Sequence, residues 1–499
     1  MSRNAWAQEG RQPKIAIIGS GMSGIAAVIK LRKAGYTDTT VFEKSDNVGG
    51  TWRDNRYPGL SCDVPSHWYS FTFARNPNWS HKYAYGPEIQ AYMEKTARDF
   101  DVMSCVRFNE PVTSLTYEEP FWHLKTEKSE DVYDVVISAA GILRIPNFPD
   151  IKGLETFEGD CFHSARWDDT QDLSGKRVGI IGTGSTAAQI IGEITPKVGH
   201  MSVFQRTPQW IAPLPQRKYK NIEIRLFKIF PFLLVLSYWM KYITFRFTFG
   251  PATTGNKRMQ RMISRICTEH LETEITDPEL RAKLTPPYQA ACKRLIFASD
   301  FYPAIRSQNC SLITEGIDSI TSKGVMTVDG KLHELDVLIL ATGFDASAFI
   351  LPTKVLGEGS LDLADFWKGA PRAHRGVSVP GFPNFWMLEG PTSPIGNLSL
   401  IMISEHQVDY IISMLNEMKK KKLSSMSPKI SAYKEYNEKM IERVKDTIWV
   451  TGGCDSWYID DAGHPNLYPF PPQMYLKEMH RPNLSEYEAR PFSNRHAAE

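Results

Sequence analysis

The sequence lacks an excess of charge of either sign. Of its 499 residues, 58 are basic and 56 are acidic, so the net charge is only +2. Such a balance does not favour nucleic-acid binding or a disordered, highly charged tail. Hydrophobic residues make up 42% of the chain, which is typical of globular proteins. The length corresponds to about three domain-sized units. We therefore expect a multi-domain globular protein that binds no nucleic acid.

Cysteine is also scarce. There are seven cysteines, and no two of them stand in a C-x-x-C or C-x-x-x-x-C spacing. An odd number without paired spacing argues against a disulfide framework and against a structural zinc site. The pattern favours a reducing, cytoplasmic setting, and it predicts no metal site.

Long hydrophobic runs are missing as well. The most apolar stretch, IFPFLLVLSYWM, covers residues 229–240 and is bounded by Lys228 and Lys241. Its twelve residues are fewer than the roughly 20 that a membrane-spanning helix needs. We expect a buried or interfacial helix there rather than a membrane contact, and no transmembrane segment elsewhere. Residues 1–13 are polar and have no apolar core of the kind that a secretory signal requires.

What the sequence does contain is two similar strand–loop–helix units. In the first, the strand pattern KIAII at 14–18 precedes the loop GSGMSG at 19–24, and a later strand ends at Glu43. The three glycines of such a loop allow a tight turn, a close approach to a pyrophosphate, and close packing of helix on strand. A carboxylate 19 residues after the loop can bind both hydroxyls of a ribose and repels a 2′-phosphate. This unit is expected to bind FAD or NAD.

The second unit differs at the positions that select the nucleotide. The strand pattern RVGII at 177–181 precedes the loop GTGSTA at 182–187, in which Ala187 replaces the third glycine. No acid ends its second strand, where Arg206 and Thr207 stand instead. A guanidinium and a hydroxyl suit a 2′-phosphate, so this unit is expected to bind NADP(H). Two such nucleotides imply hydride transfer from NADPH to FAD.

These units predict an α/β fold with two Rossmann-like dinucleotide-binding domains, one for FAD and one for NADP, and a helical insertion in the NADP domain. Residues 147–153 are rich in turn formers and are interpreted as an interdomain link. The expected division is an FAD domain at 1–150 and 336–499, an NADP domain at 151–210 and 291–335, and the helical insertion at 211–290.

Two further segments carry particular residues at fixed spacings. Residues 157–168, FEGDCFHSARWD, match the pattern F-x-G-x-x-x-H-x-x-x-W-[P/D] at every fixed position, namely Phe157, Gly159, His163, Trp167 and Asp168. Residues 49–63, GGTWRDNRYPGLSCD, match the pattern G-G-x-W…Y-P-G…D. With the two glycine loops and the segment ATGFD at 341–345, these motifs resemble those of type I Baeyer–Villiger monooxygenases of the flavin monooxygenase superfamily. The resemblance runs from about residue 14 to about residue 400.

The resemblance implies a reaction and the residues that carry it. NADPH would reduce FAD, O2 would add at flavin C4a to give a peroxide, and the peroxide would attack a small hydrophobic ketone. One oxygen atom would be inserted next to the carbonyl, giving an ester or lactone. Arg294 would stabilise the peroxide, since an arginine stays charged at neutral pH, and Asp63 would hold Arg294 in place. His163 would assist domain movement and NADP positioning without acting as a general base, with Trp167 and Asp168 bracing the same linker.

The residues expected to contact the cofactors fall into two groups. Those expected at FAD are Gly19, Gly21, Ser23, Gly24, Glu43, Lys44, Gly50, Thr51, Trp52, Asp63 and Tyr69. Those expected at NADP(H) are Gly182, Thr183, Gly184, Ser185, Thr186, Ala187, Arg206, Thr207, Lys293 and Arg294. The loop with Ser393, Pro394 and Asn397 is expected beside the flavin and the substrate, and aromatic residues of the helical insertion are expected beside the substrate's route.

Other functions remain open at this level. An N- or S-oxygenating flavin monooxygenase shares F-x-G-x-x-x-H, but it would use a protonated hydroperoxide, which Arg294 disfavours. An NADPH-dependent flavin oxidase or reductase would produce peroxide or pass electrons on without oxygenating a substrate. Disulfide reductases share two nucleotide folds but need a redox-active cysteine pair of the spacing that this sequence lacks.

Overall fold

Two five-stranded parallel sheets form the centre of the structure. The computed structural model describes residues 6–394, 396, 398–460 and 462–491. Its strands are β1 Ile15–Ile18, β2 Thr39–Phe42, β3 Val106–Arg107, β4 Val112–Glu118, β5 Phe121–Thr126, β6 Glu130–Tyr133, β7 Val135–Ser138, β8 Asp160–His163, β9 Arg177–Ile181, β10 His200–Phe204, β11 Ile211–Ala212, β12 Ile296–Phe297, β13 Cys310–Ile313, β14 Ile317–Thr321, β15 Gly324–Thr327, β16 Leu332–Glu334, β17 Val337–Leu340, β18 Lys354–Leu356, β19 Phe385–Met387, β20 Leu423–Pro428 and β21 Tyr487–Pro491.

Helices cover the faces of these sheets. They are α1 Trp6–Glu9, α2 Met22–Lys33, α3 Thr51–Asp54, α4 Gly86–Asp99, α5 Ser185–Ile194, α6 Asn221–Ile229, α7 Phe232–Phe247, α8 Phe249–Thr253, α9 Lys257–Glu274, α10 Pro278–Leu284, α11 Phe301–Ile305, α12 Leu363–Trp367, α13 Leu400–Lys421, α14 Ile430–Val444, α15 Ile448–Thr451 and α16 Pro472–His480.

The first sheet has the strand order β19-β7-β1-β2-β3, with every pair parallel. Its central strand β1 is buried on both sides, which explains its unbroken apolar sequence. Ile15 and Ile17 pack into one core with α2 and α13, whereas Ala16 and Ile18 pack into another with the smaller sheet β18-β4-β5-β6. The strand therefore alternates between two cores and fixes the loop that follows it.

The second sheet has the order β13-β10-β9-β17-β8 and is also parallel throughout. The predicted α/β fold with two Rossmann-like units is confirmed. The expected domain boundary at residue 336 is wrong, however, because β17 pairs with β9 and β8 of the second sheet. A short buried strand does not reveal in its sequence which of two parallel sheets it joins.

The two connections between the sheets run side by side. Pro146, leaving the first sheet, forms a bridge with Phe344, which returns from the second. The backbone N–H of Asn147 donates a hydrogen bond to the carbonyl of Gly343 at 2.9 Å. The predicted link at 147–153 thus begins in direct contact with the return crossing.

Five helices, α6 to α10, lie between the paired strands β11 and β12. A buried or interfacial helix is expected at 229–240; the buried alternative is wrong, because only Leu234 and Tyr238 of its twelve residues are buried. In the described part of the chain, no single helix is long and apolar enough to cross a bilayer. The helices at 221–229 and 232–253 meet that test only as a pair, and they are bent by 109° at the break between them.

A disulfide joins Cys292 to Cys454, 162 residues apart. The cysteine pattern argues against a disulfide framework; it does not indicate this single disulfide, and the other five cysteines are free. Sequence spacing could not reveal the pair, because the two residues meet only through tertiary folding. The bond anchors the loop after α15 to the segment that carries Lys293 and Arg294.

Candidate active site

A cavity of about 1250 Å³ opens at the carboxyl ends of strands from both sheets. Its walls include residues that follow β1, β2 and β7 of the first sheet and β17 of the second. Parallel α/β sheets bind their ligands outside this edge. Of the expected site residues, the lining contains Gly19, Gly21, Ser23, Glu43, Lys44, Gly50, Thr51, Trp52, Asp63, Tyr69, Gly184, Ser185, Thr186, Arg206, Lys293 and Arg294.

The first glycine loop forms a cradle that larger residues would fill. Gly19 has φ +101°, and a Cβ there would lie 2.6 Å from the carbonyl oxygen of Ala139. A Cβ on Gly24 would collide with the carbonyl oxygen of Gly19, so this glycine sits beneath the loop rather than in the cavity wall. Helix α2 begins after Gly21 without a side-chain cap, which leaves backbone N–H donors for a phosphate. The loop therefore fits a pyrophosphate.

Glu43 ends β2 as a buried carboxylate. One of its oxygens accepts hydrogen bonds from the backbone N–H and the hydroxyl of Ser20, at 2.9 and 2.8 Å. The other accepts from the N–H of Ser45 at 3.0 Å and lies 3.1 Å from the guanidinium of Arg53. Arg53, which the motifs do not indicate as a site residue, is itself buried. These contacts orient the carboxylate at the cavity wall, where a ribose would be held.

The second loop is built in the same way. Helix α5 begins after Gly184, again without a side-chain cap. Arg206 and Lys293 line the cavity, and in the described residues neither forms an ion pair with a carboxylate. Burial lowers the pKa of Lys293, the nearby carboxylate of Asp455 opposes this shift, and the charge of Arg206 adds to it. Two neighbouring cations that form no ion pair in the described residues suit a dianionic phosphate group.

Four residues expected at the second nucleotide do not line the cavity. These are Gly182, Thr183, Ala187 and Thr207. Ala187 is fully buried in the core beneath the second sheet. The carbonyl of Thr207 accepts a hydrogen bond from the hydroxyl of Thr183 at 3.1 Å. These residues shape the loop and the strand end rather than the cavity wall.

Arg294 and Asp63 form an ion pair in the cavity wall, with Nη2 and Oδ2 2.6 Å apart. Because Arg294 lines the cavity, its exposed surface faces the cavity space. The charge of Asp63 raises the pKa of Arg294 further, so the guanidinium is permanently charged. Tyr458 approaches the same guanidinium, and burial raises the pKa of this phenol. Arg294, held by Asp63, is therefore a fixed cation next to the neutral hydroxyl of Tyr458.

Aromatic side chains close the wall beside the first loop. The indole N–H of Trp52 donates to the hydroxyl of Tyr69 at 3.0 Å, and their rings meet edge to face at 5.7 Å. The hydroxyl of Tyr69 in turn contacts the sulfur of Met22, the first residue of α2, at 3.4 Å. On the opposite flank, burial lowers the pKa of Lys44. This wall suits a flat, uncharged ring system.

The five residues of the 157–168 motif do not line the cavity. His163 ends β8 next to β17, and its Nδ1 accepts a hydrogen bond from the N–H of Ala165 at 3.0 Å. Burial lowers its pKa, so the ring is neutral near pH 7. It lies against Phe148 and Phe344, with ring centroids 5.4 and 6.0 Å away. His163 therefore packs where the two connections run side by side.

The other residues of the 157–168 motif pack or form hydrogen bonds near His163 without reaching the cavity. Phe157 packs against the apolar cluster under the second sheet, close beside Gly159. Trp167 meets Phe162 edge to face at 5.2 Å. The carboxylate of Asp168 accepts hydrogen bonds from the N–H and hydroxyl of Thr170, which lower its pKa. Asp168 thus caps its own turn and makes no contact with the cavity.

Several cavity residues could not be found from motifs. They include Arg144, Gln189, Glu389, Trp457 and Tyr458. Only Glu389 has a sequence signal, an acid directly after the apolar strand β19. In the loop expected beside the substrate, Gly396 and Leu398 line the cavity, whereas Asn397 lies outside the described residues.

The chain is similar to known monooxygenases in both sequence and structure. Residues 12–356 match the model of the flavin-binding monooxygenase-like family. The chain is 38% identical to a Baeyer–Villiger monooxygenase of Pseudomonas aeruginosa over 471 residues, covering 92% of this chain and 88% of the relative. The structure of cyclohexanone monooxygenase from Rhodococcus sp. Phi1 bound to NADP+ is similar, with 30% identity, TM-score 0.85, and coverage of 96% of this chain and 99% of that one. OTEMO in complex with FAD and NADP is similar at 25% identity and TM-score 0.85, with coverage of 96% and 100%.

Proposed function

This chain belongs to the flavin-binding monooxygenase-like family, and we propose that it oxidises a ketone in the cavity around the Arg294–Asp63 pair. It is an FAD- and NADPH-dependent monooxygenase of the Baeyer–Villiger type. One atom of O2 enters the substrate next to the carbonyl, giving an ester or lactone. The other atom leaves as water, with NADPH supplying the two electrons.

The first sheet and its loop are assigned to FAD, and the second sheet to NADP(H). Gly19, Gly21 and the start of α2 would hold the pyrophosphate of FAD, with Glu43 at its ribose. Arg206 and Lys293 would hold the 2′-phosphate of NADP(H), because both line the cavity beside the second loop. When bound, the reduced flavin supplies the electrons that activate O2.

The ion pair of Arg294 with Asp63 carries the proposal. A deprotonated peroxide attacks a carbonyl carbon much faster than its protonated form does, so a site that stabilises negative charge on oxygen favours this reaction. A guanidinium cannot lose its proton near neutral pH, and a cation in a cavity that excludes water acts strongly on such charge. Asp63 holds the guanidinium in one orientation at 2.6 Å. Tyr458 would add a neutral hydroxyl near the same position.

The substrate proposed for the cavity is a small hydrophobic ketone. Beside the polar pair, the lining includes the aromatic side chains Trp68, Phe245, Phe249 and Trp457. An apolar wall with a few convergent polar groups is typical of sites for small apolar molecules. The proposed location is the cytoplasm, where most cysteines stay reduced; five of the seven cysteines are free, and the Cys292–Cys454 pair is the exception.

Oxygenation at nitrogen or sulfur is the alternative that the site favours less. It requires a protonated, electrophilic oxygen, which a permanent cation such as Arg294 opposes. The test is incubation of the purified yellow protein with NADPH, 18O2 and a mixture of ketones, sulfides and amines. Esters or lactones with one labelled oxygen are expected. Sulfoxides or N-oxides alone would assign the other class, and NADPH consumption with peroxide as the only product would assign an oxidase.

A further inference from the structure

Helices α6 and α7 carry an exposed apolar surface on the outside of the insertion. We propose that this surface docks on an anionic lipid bilayer, so that the protein binds the membrane interface without crossing it. The surface, called here the apolar face, consists of side chains that are each between 38% and 63% exposed. They are Ile222, Leu226, Ile229, Phe230, Phe232, Val235, Leu236, Trp239, Met240, Ile243 and Phe247.

The apolar face has the spacing of an interfacial helix. Along α7 the exposed apolar residues recur every three or four positions, from Phe232 through Leu236, Trp239 and Ile243 to Phe247. Large contiguous apolar patches on a protein surface mark binding sites. An amphipathic helix of this kind inserts one side at the boundary between headgroups and acyl chains. The 109° bend after α6 means that the two helices do not form one straight membrane span.

The charges around the apolar face select an anionic partner. Residues 217–247 contain seven basic residues and one acidic residue, Glu223, although the whole chain carries a net charge of only +2. Glu223 is already paired with Arg217 at 2.7 Å. Lys228 and Lys241 flank the apolar stretch, and Arg225 and Arg246 lie within the same two helices. Clusters of basic residues beside an apolar helix favour the negatively charged leaflet of a membrane.

The same charges disfavour a second copy of the chain as the partner. Two copies meeting through this surface would bring their basic residues together around an apolar contact. Such like-charge contacts oppose association. A bilayer with anionic headgroups, in contrast, offers acyl chains to the apolar residues and phosphates to the basic ones.

The opposite side of α7 packs against the body of the protein. Tyr238 and Tyr242 are buried there in the apolar core, and Phe245, near the end of the helix, lines the cavity and packs on Trp68 with ring centroids 5.1 Å apart. The same helix therefore carries the apolar face on its outer side and reaches the cavity wall near its end. This arrangement suits hydrophobic ketones that partition into the membrane, an inference that rests on the proposed function.

The test is flotation of the purified holoenzyme with vesicles of phosphatidylcholine, with and without phosphatidylglycerol. The variant is F232E/W239E, because neither side chain lines the cavity. The control is V328E/I430E, which adds the same two charges at exposed apolar positions on other elements. We expect the wild type and the control to bind anionic vesicles and to be partly released by salt. The F232E/W239E variant should bind about tenfold less or weaker still.

Three results would overturn the inference. They are absence of wild-type binding to either vesicle, equal binding by the F232E/W239E variant, and a dimer in vesicle-free solution that this variant disperses. The last result would assign the apolar face to a second copy of the chain. Turnover of a water-soluble ketone without vesicles, measured on the same samples, tests the proposed function separately, because membrane docking does not enter that measurement.

Discussion

The carboxylate of Asp63 accepts a hydrogen bond from Arg294 at 2.6 Å across 231 residues of sequence. Asp63 follows the first glycine loop, and Arg294 follows the helical insertion between β11 and β12. The pair therefore bridges the two nucleotide-binding units at the cavity wall. Because each residue is positioned by a different unit, the cation is in place only when the two units are docked together.

Removing the cation should separate cofactor reduction from oxygenation. R294A is expected to bind FAD and to be reduced by NADPH, yet to form product at least about 100-fold more slowly, as with loss of one stabilising donor of a developing oxyanion. D63N should be impaired less, because the guanidinium remains but loses its fixed orientation. The measurement compares NADPH consumption with ester formation. The control is R265A, which breaks an exposed ion pair with Glu269 and should behave like the wild type. Normal ester formation by R294A would contradict the role assigned to Arg294.

The two cations at the second loop should select NADPH over NADH. R206A and K293A are each expected to raise the KM for NADPH about ten- to 100-fold, the cost of one charged hydrogen bond. The KM for NADH, which has no 2′-phosphate, should change little. Steady-state kinetics with both nucleotides gives the ratio. K197A removes an exposed lysine paired with Glu193 and serves as the control. An equal loss with both nucleotides would show that the phosphate is bound elsewhere.

Gly19 should be required for FAD binding for two reasons: its backbone has a positive φ, and a side chain at this position would collide with a neighbouring carbonyl. G19A would place a Cβ 2.6 Å from the carbonyl of Ala139 at φ +101°, so most FAD should be lost. Gly35 has φ +90° but nothing within 4 Å of a Cβ. G35A should therefore keep its FAD and lose about 1–2 kcal/mol of stability through backbone strain alone. The ratio of flavin to protein absorbance after purification measures the difference, and full FAD content in G19A would refute the assigned loop.

Glu389 should make stability depend on pH. Burial raises the pKa of this carboxyl from 4.5 to about 8, although the hydroxyl of Ser404 donates to it at 2.8 Å. The folded protein therefore holds a proton that the unfolded chain releases above its ordinary pKa. The stability from that proton is full below about pH 4.5 and is lost as pH rises through about 8.

The matching variant is E389Q, which is neutral at every pH. Its free energy of unfolding from denaturant titration, relative to that of the wild type, should rise by about 3 kcal/mol or more between pH 5 and pH 8 and level off above. E130Q, at an exposed position, should show no such trend. A constant difference between E389Q and the wild type over this range would show that Glu389 is charged in the folded protein.

The disulfide should contribute to stability, since it closes a loop of 162 residues. C292S/C454S is expected to lower the free energy of unfolding by about 2–4 kcal/mol. Denatured, unreduced protein should show five reactive thiols, and reduced protein seven. C161S, at an exposed free cysteine, is the control and should unfold like the wild type. Seven thiols without reduction would show that the bond is not formed in the purified protein.

Short-range patterns were enough to predict the two nucleotide-binding units. A strand, a glycine loop and the start of a helix occupy about a dozen neighbouring residues, and the backbone requirements of each position lie within that segment. The nucleotide preference likewise depends on one strand end, at Glu43 or at Arg206. Arg294 and Asp63 were named from the family resemblance, because nothing local to either residue indicates that they meet.

Contacts between distant residues became visible only in the folded chain. The sequence of β17 fits either parallel sheet, and only its pairing with β9 shows that it belongs to the second sheet. Cys292 meets Cys454, and Arg53 meets Glu43, through folding that no spacing rule describes. The helical period of α7 is present in its sequence, but which side faces the cavity depends on Trp68 and its neighbours. Local backbone preferences depend on residues that are neighbours in the sequence. Strand pairing and side-chain burial depend on residues that are distant in the sequence and become neighbours only when the whole chain folds.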